Sequence, residues 1–177
     1  MATITIFGSA FSTEDSYEWK KAFNAGRILS GNGINIATGG YKGVMEAASK
    51  GCGDSSTDRI GVILEDSEPN PYINKVVKTN SYFERLIKLI EIGDSYLVLP
   101  GGSGTLLEIA AVWALKDRNL LGDKIIVTIG DMWNEIKQII GFYNENIVEH
   151  FDTVYCAESL DEALNLLINH LKETGKL

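Results

Sequence analysis

A glycine-rich turn followed by a threonine and a glutamate carries the clearest chemical signal in this sequence. The turn runs from Pro100 to Gly104, and Thr105 and Glu108 come soon after it. The residues before the turn, Tyr96 to Leu99, are apolar strand formers, and from Thr105 apolar residues dominate for about a dozen positions without a helix breaker. A helix that begins directly after a glycine turn presents unpaired N–H groups and the positive end of its dipole. The stretch therefore predicts a strand–turn–helix unit that binds a phosphate or a carboxylate group.

Two more glycine turns follow predicted strands. Gly8 and Ser9 end the first strand, and a turn from Gly39 to Gly43 separates the second strand from a helix that begins at about Val44. In open parallel sheets, ligands bind at the carboxyl ends of the strands, near the point where the strand order reverses. We therefore expect the turns at Gly8, Gly39 and Gly101 to lie together at one edge of a sheet.

Strands and helices alternate along the whole sequence. This pattern requires right-handed crossovers and produces a parallel sheet covered on both faces. The predicted strands cover residues 3–7, 34–38, 60–64, 76–79, 96–99, 124–129 and 154–156. The first predicted helix ends at about residue 30, and Ser12 and Asp15 form its predicted capping box. Four further helices are predicted over residues 44–50, 81–92, 132–143 and 158–171, and another begins at Thr105. Asp131 is the predicted cap of the fifth helix in chain order. We predict an α/β protein, a three-layer sandwich with a central parallel sheet of about seven strands, formed by a single domain over residues 1–177.

Composition and charge exclude several classes of function. The chain has 177 residues, of which 45% are hydrophobic and 23% charged, as in an ordinary globular domain. A net charge of −8 argues against a general nucleic-acid surface. Because the sequence has neither a basic leader before an apolar run nor an apolar span of about 20 residues, we expect a cytoplasmic protein that does not bind membranes. Cys52 and Cys156 lack metal or redox spacing, which predicts buried, reduced thiols and no metal site.

Two charged residues are candidates for a site, and each has a structural alternative. Arg85 lies beside the apolar arc of its predicted helix, and no carboxylate stands three or four positions away. A partner from another element would place Arg85 in a site, whereas a solvated surface arginine needs none. Glu108 lies about one helical turn after the glycine turn, within reach of a ligand bound there. The spacing Thr105-x-x-Glu108 is also that of a capping box, in which Glu108 only caps its own helix.

Several of these motifs together resemble one known family. Residues 100–108 read Pro-Gly-Gly-x-Gly-Thr-x-x-Glu, which closely resembles the signature of the Lonely Guy (LOG) family of phosphoribohydrolases. The segment from Ala37 to Gly51 resembles the first glycine turn of that family, and Phe7 to Ala10 is similar to its opening strand end. Arg85 matches an arginine of the family's site. The resemblance covers residues 4 to about 115, and the later elements agree with the same Rossmann-like fold.

The resemblance implies a nucleotide-binding hydrolase without a metal or another cofactor. In that family a nucleoside 5′-monophosphate is cleaved at its N-glycosidic bond into free base and ribose 5-phosphate. Glu108 and Arg85 would then be the catalytic residues, with the carboxylate beside the ribose, where positive charge develops. The implied substrate-binding residues are Gly8, Ser9, Gly39, Gly40, Gly43, Met45, Gly101, Gly102, Ser103, Gly104 and Thr105.

The resemblance also implies a homodimer with sites near the interface. The helices that begin near Ser81 and Thr105 are more apolar than most surface helices, which agrees with a dimer and equally with burial against a sheet. Two positions depart from the plant-type members, which carry Arg-Lys and Thr-x-Glu-Glu. Leu86 follows the arginine here, and Leu107 stands where the first glutamate would be. These departures argue against the plant hormone substrate more than against the type of reaction.

A non-catalytic carrier of a nucleotide or of molybdenum cofactor on the same fold is the main alternative. The presence of both Arg85 and Glu108 favours the enzyme, because a carrier has less need of a carboxylate beside the ribose. The negative net charge disfavours a DNA-processing protein. Lysine decarboxylation is disfavoured because a pyridoxal enzyme needs a Schiff-base lysine and a large cofactor fold. The isolated His150 and His170 are not expected in the site.

Overall fold

The computed structural model describes residues 1–143 and 153–177 and contains a seven-stranded parallel sheet. The strands are β1 (Thr3–Phe7), β2 (Asn35–Thr38), β3 (Arg59–Leu64), β4 (Lys75–Thr79), β5 (Ser95–Val98), β6 (Ile126–Ile129) and β7 (Val154–Ala157). The helices are α1 (Tyr17–Gly31), α2 (Val44–Gly51), α3 (Tyr82–Ile92), α4 (Ser103–Asp117), α5 (Asp131–Tyr143) and α6 (Leu160–Glu173). The predicted α/β fold with a parallel sheet is confirmed. His150 lies outside the described residues.

Helices cover both faces of the sheet and divide the hydrophobic core into two parts. On one face α1, α2 and α6 pack around buried residues that include Leu29 and Leu164. On the other face α3, α4 and α5 pack around Leu89, Val112 and Trp133. Every residue of the inner strands β1, β2, β5 and β6 is buried because helices cover both faces of the sheet, and this includes their threonine, serine and asparagine residues. Within residues 1–143 and 153–177, none of the helices combines the length and the apolar character that crossing a bilayer requires.

The strand order is β4-β3-β2-β1-β5-β6-β7. From β1 the chain adds β2, β3 and β4 toward one edge of the sheet, and it then adds β5, β6 and β7 toward the other edge, so the order of addition reverses between β1 and β5. Phe7 lies beside Val98 in this pair of strands, and both strands therefore end at the same edge of the sheet. The turns that follow them are in contact, since the Ser9 N–H donates to the Pro100 carbonyl over 3.2 Å. The reversal point is where open parallel sheets bind ligands. The fold thus places two of the predicted glycine turns at that point.

The predicted capping box of the first helix is wrong. We expected Ser12 and Asp15 to form it, but α1 begins at Tyr17 and its N-cap is Ser16. The Ser16 hydroxyl oxygen accepts a hydrogen bond from the Trp19 N–H over 3.3 Å. A serine directly before the helix satisfies this N–H without a residue further back.

Two other helix starts also differ from the prediction. α4 begins at Ser103 rather than Thr105, because the extended backbone of Gly102 already serves as the N-cap. Asp131 is the first residue of α5 instead of the cap before it. An acidic residue in the first turn still interacts favourably with the helix dipole.

The cysteines match the prediction in part. Both are free thiols, and Cys52 is buried, whereas Cys156 is only half-buried. The Cys52 Sγ lies 3.4 Å from the Ala48 carbonyl oxygen. Burial raises the pKa of Cys52 to about 11, so this thiol stays protonated and unreactive at neutral pH.

Candidate functional site

A cavity of about 250 Å³ opens at the sheet edge where the turns after β1, β2 and β5 meet. Nine of the residues predicted for the site line it: Gly8, Gly39, Met45, Arg85, Gly102, Ser103, Gly104, Thr105 and Glu108. The other four, Ser9, Gly40, Gly43 and Gly101, belong to the same turns but do not belong to its lining. Of the described residues that line the cavity, only Arg85 and Glu108 carry a charge.

The first turn of α4 supplies a cradle of backbone N–H groups on one wall of the cavity. The first hydrogen bond of the helix runs from the Leu106 N–H to the Gly102 carbonyl over 2.9 Å. The N–H groups of Ser103, Gly104 and Thr105 precede it and have no carbonyl of the helix to donate to. The first turn contains no acidic residue, and the helix dipole favours an anion there. A Cβ added at Gly102 would meet nothing within 4 Å, so open space lies beside this backbone.

The turn between β2 and α2 is bonded to the backbone of the turn after β1 and is less favourable for an anion than the start of α4. The Val44 N–H, the first of α2, donates to the Ser9 carbonyl over 2.9 Å. Gly43 has a φ of +68°, and a Cβ there would collide with the same carbonyl oxygen. Glu46 in the first turn of α2 disfavours an anion at this helix end. The start of α4 is therefore the end of a helix in this cavity that is better suited to an anion.

Arg85 and Glu108 form a buried pair in the cavity. Arg85 Nη1 lies 3.9 Å from Glu108 Oε1, and the two side chains are only 5% and 12% exposed. The Arg85 Nε–H also donates to the Val62 carbonyl over 2.8 Å. No carboxylate of α3 stands three or four positions from Arg85, and the structure supplies a partner from α4. The interpretation of Arg85 as a solvated surface residue is wrong.

The position of Arg85 depends on how α3 is attached to the sheet. The Thr5 hydroxyl of β1 donates to the Leu89 carbonyl over 2.9 Å. The Tyr96 hydroxyl of β5 donates to the Ile90 carbonyl over 2.8 Å. These bonds fix the helix one turn beyond Arg85, directly over the two strands whose ends form the site.

Two tyrosine rings and a glycine enclose the guanidinium group. Arg85 Cζ lies 5.2 Å from the ring centre of Tyr41 and 5.7 Å from that of Tyr82, within the range of cation–π attraction. A Cβ at Gly39 would collide with Arg85 Nη2 and would lie 2.7 Å from Met45 Sδ. Gly39 is therefore required by the position of Arg85. The sequence favours packing roles for both tyrosines, with stacking on a base as the alternative, and does not predict their contact with Arg85, although Tyr41 lies inside the predicted glycine turn.

Glu108 is a carboxyl group whose protonation changes near neutral pH. Burial raises the pKa of Glu108 to about 7, and the Arg85 guanidinium opposes this rise. Glu108 is the sixth residue of α4 counted from Ser103, whereas a capping box needs the third. The interpretation of Glu108 as a cap is thus wrong. A carboxyl with such a pKa is suited to take up and release a proton at neutral pH.

Comparison with known proteins assigns this chain to a family. A sequence model of the SLOG cluster4 family matches residues 1–154. The chain belongs to the SLOG cluster4 family. The matched region includes all three glycine turns and the Arg85–Glu108 pair, so the cavity is built from residues within the family's extent.

Two curated relatives are named as phosphoribohydrolases. The cytokinin riboside 5′-monophosphate phosphoribohydrolase LOG of Oryza sativa subsp. japonica is 32% identical over 114 residues, 60% of this chain and 47% of the rice protein. The cytokinin riboside 5′-monophosphate phosphoribohydrolase of Mycobacterium tuberculosis is 26% identical over 178 residues, 97% of this chain and 90% of that protein. The chain thus spans about half the length of the rice relative. These relatives confirm the predicted resemblance to the LOG family.

A solved structure of similar fold carries a different name. The molybdenum cofactor carrier protein of Chlamydomonas reinhardtii has a TM-score of 0.76 and 20% identity, covering 97% of this chain and 99% of that one. At this identity the likeness concerns the fold alone. The residues of the cavity therefore have to distinguish a carrier from an enzyme.

Proposed function

We propose that this protein hydrolyses the N-glycosidic bond of a nucleoside 5′-monophosphate and releases the free base and ribose 5-phosphate. The observation that carries the proposal is the buried Arg85–Glu108 pair, 3.9 Å apart, in a cavity that the N-terminus of α4 also lines. A phosphate cradle and a buried carboxyl in one cavity are what this reaction requires. The names of the rice and mycobacterial relatives support the same reaction.

The cradle of α4 is where the 5′-phosphate would bind. The N–H groups of Ser103, Gly104 and Thr105 would donate to the phosphate oxygens, with the helix dipole adding to the attraction. At α2 the first N–H is already bonded to the Ser9 carbonyl and Glu46 lies in the first turn, so an anion is less favoured there. The cradle of α4 accommodates one phosphate group, which agrees with a nucleoside monophosphate.

Glu108 would act on the ribose. As the bond between C1′ and the base nitrogen breaks, its electron pair leaves with the base and positive charge develops on the ribose ring. An ionised carboxylate beside the ring stabilises this charge and accepts a proton from the water that attacks C1′. The proton then passes to the departing base. A pKa of about 7 allows Glu108 to be ionised for the attack and still to give up the proton afterwards.

Arg85 would supply the fixed positive charge of the site. Its guanidinium is positioned to pair with an anionic group of the substrate, either the phosphate or the departing base. It also lowers the pKa of Glu108 and so increases the ionised fraction of that carboxyl. The identity of the base is left open, because Leu86 and Leu107 stand at positions that differ from the plant-type members.

The test is a direct assay for base release. Purified protein is incubated separately with AMP, CMP, GMP, UMP and adenosine, and the free base is separated by liquid chromatography. We expect release from at least one monophosphate and not from the nucleoside. Glu108→Gln should lower the rate by about 10²- to 10⁴-fold, the usual contribution of a general acid–base group. Glu91→Gln, which removes an exposed carboxyl of α3, is the matched control and should retain full activity.

The opposite outcome would favour the carrier. If no monophosphate is cleaved while a nucleotide or a molybdenum cofactor binds tightly, the proposed reaction is wrong. Glu108→Gln should then leave that binding unchanged, since a carrier has no need of the carboxylate.

A further inference from the structure

The loop between β3 and β4 holds the glycine turn that lies against Arg85. Asn70 of this loop is buried, with only 7% of its surface exposed. Its side-chain Nδ2 donates to the Gly40 carbonyl over 3.1 Å and to the Tyr41 carbonyl over 2.9 Å. Its backbone N–H donates to the same Gly40 carbonyl over 2.7 Å. Three hydrogen bonds from one residue thus fix two consecutive peptide groups of the turn.

Tyr41 transmits this constraint to the cavity. Its hydroxyl oxygen accepts a hydrogen bond from the Leu64 N–H over 3.0 Å, so both the backbone and the far end of the side chain are held. Its ring centre is 5.2 Å from Arg85 Cζ. Arg85 Nη1 in turn lies 3.9 Å from Glu108 Oε1. A shift of the Tyr41 ring would remove one of the contacts that hold the guanidinium at this distance from the carboxyl.

We propose that Asn70 is a positioning residue for Arg85, acting through the backbone of Gly40 and Tyr41. By holding this turn, Asn70 keeps the Tyr41 ring against the guanidinium and sets the distance between Arg85 and Glu108. The consequence for catalysis rests on the proposed hydrolase function. The consequence for the Arg85–Glu108 pair does not, and it can be measured in the absence of any reaction.

The same loop offers a matched control. Asn74 also lies between β3 and β4, where its Oδ1 accepts from the Arg59 N–H over 2.7 Å and its Nδ2 donates to the Thr57 carbonyl over 3.2 Å. Asn70 Oδ1 likewise accepts from a backbone N–H, that of Tyr72, over 3.1 Å. Replacing either asparagine by aspartate keeps the acceptor, removes the Nδ2 donor and adds one charge. Of these two asparagines, Asn70 donates hydrogen bonds to the turn beside Arg85, whereas the hydrogen bonds of the Asn74 side chain go to Thr57 and Arg59.

The first experiment compares the kinetics of Asn70→Asp and Asn74→Asp with those of the wild type. A misplaced catalytic group costs up to about 100-fold, so we expect kcat of Asn70→Asp to fall by about 10- to 100-fold with little change in KM. Asn74→Asp should keep nearly the wild-type kcat. Equal losses in the two variants, or no loss in either, would overturn the proposal, and thermal unfolding of both variants shows whether they are folded.

The second experiment follows the Glu108 carboxyl itself by ¹³C NMR titration. Here the alanine variants of Asn70 and Asn74 are used, because they add no charge. Arg85 is the charged residue that shares the cavity lining with Glu108 and lowers its pKa, so a displaced guanidinium leaves that pKa higher. We expect the carboxyl to titrate at higher pH in Asn70→Ala than in the wild type and in Asn74→Ala. Identical titrations would refute the positioning role.

The two experiments separate the two proposals. If the wild type releases no base but Asn70→Ala still changes the Glu108 titration, the hydrolase proposal fails and the positioning role stands. If Asn70→Ala does not fold, Tyr41→Leu removes the next link while keeping the backbone carbonyls that Asn70 binds. In that variant the Glu108 carboxyl should likewise titrate at a higher pH than in the wild type, and an unchanged titration would again refute the proposal.

Discussion

At the residue scale, the chemistry of the site depends on how two opposing effects balance at Glu108. Burial disfavours the charged carboxylate and raises its pKa, while the guanidinium 3.9 Å away favours the charge and lowers it. The result is a pKa of about 7, and the ionised form is present on the alkaline side of that value. The activity proposed for Glu108 needs this ionised form.

We therefore predict that kcat/KM of the wild type rises with pH through about 7 and levels off above it. In Arg85→Gln the lowering effect of the guanidinium is lost, so the pKa of Glu108 increases and the residual activity should rise only at higher pH. The second ionisation of a phosphate monoester, at about pH 6, is common to the assays of both proteins and does not affect the comparison.

The measurement is a pH–rate profile with whichever monophosphate is hydrolysed. Lys88→Gln, which removes an exposed cation from α3, serves as the control and should keep the wild-type profile. An acid limb at the same pH in Arg85→Gln and in the wild type would show that Arg85 does not set the ionisation of the catalytic group.

At the scale of elements, substrate binding depends on which helix begins with unbonded N–H groups. Both α2 and α4 follow glycine turns, but the first N–H of α2 is consumed by the Ser9 carbonyl. The start of α4 faces the cavity and has neither a side-chain cap nor an acidic residue in its first turn. Phosphate recognition is thus expected from the backbone of one helix end and not from lysine side chains.

Ser103→Pro tests this backbone role. Ser103 is the first residue of α4, a position where proline is well tolerated, so the substitution removes one N–H without breaking the helix. Since a hydrogen bond to a charged group contributes about 1.5–3 kcal/mol, we expect KM for the monophosphate to rise by about tenfold or more. Urea unfolding should show little change in stability.

Ser103→Ala is the control, because it removes the hydroxyl and keeps the N–H. Its KM should stay near that of the wild type. An equal rise of KM in the alanine variant would mean that the hydroxyl, and not the backbone, binds the phosphate.

At the scale of the whole molecule, the two helical layers expose very different surfaces. Within the part of the chain that the structure describes, the layer of α3, α4 and α5 exposes six large hydrophobic residues: Phe83, Ile87, Leu106, Leu107, Ile139 and Phe142. Tyr82 at the start of α3 is also 43% exposed. Among the large hydrophobic residues described for the opposite layer of α1, α2 and α6, only Tyr17 is similarly exposed. An apolar surface confined to one layer is typical of a protein–protein interface.

We propose that this layer joins two copies of the chain, as the LOG resemblance implies, with the site close to the interface. Phe83 is 69% exposed and Ile87 54% exposed, so a charge at either position disturbs association more than folding. We expect the wild type to sediment as a dimer and Phe83→Glu or Ile87→Glu to sediment as a monomer. Tyr17→Glu on the opposite layer is the control and should remain a dimer. A monomeric wild type would contradict the proposal.

The sequence by itself determined the class of fold and most of the residues that line the cavity. Apolar runs, helical spacing and glycine turns are local properties, and their alternation is sufficient to predict a parallel sheet with Gly8, Gly39 and Gly101 at one edge. The motif from Pro100 to Glu108 also indicated which helix begins at the cavity. These predictions agree with the structure because each depends on residues that are close together in the chain.

Only the tertiary structure decided how the site works, because its decisive distances join residues that are far apart in sequence. The partner of Arg85 comes from another helix, and Asn70 reaches a turn 30 residues away. Phe83 and Leu86 are both apolar and lie three residues apart on α3, yet Phe83 is exposed and Leu86 is buried in the core. The pKa of Glu108 likewise depends on burial and on one guanidinium, and both are produced only when β1 and β5 bring α3 and α4 together.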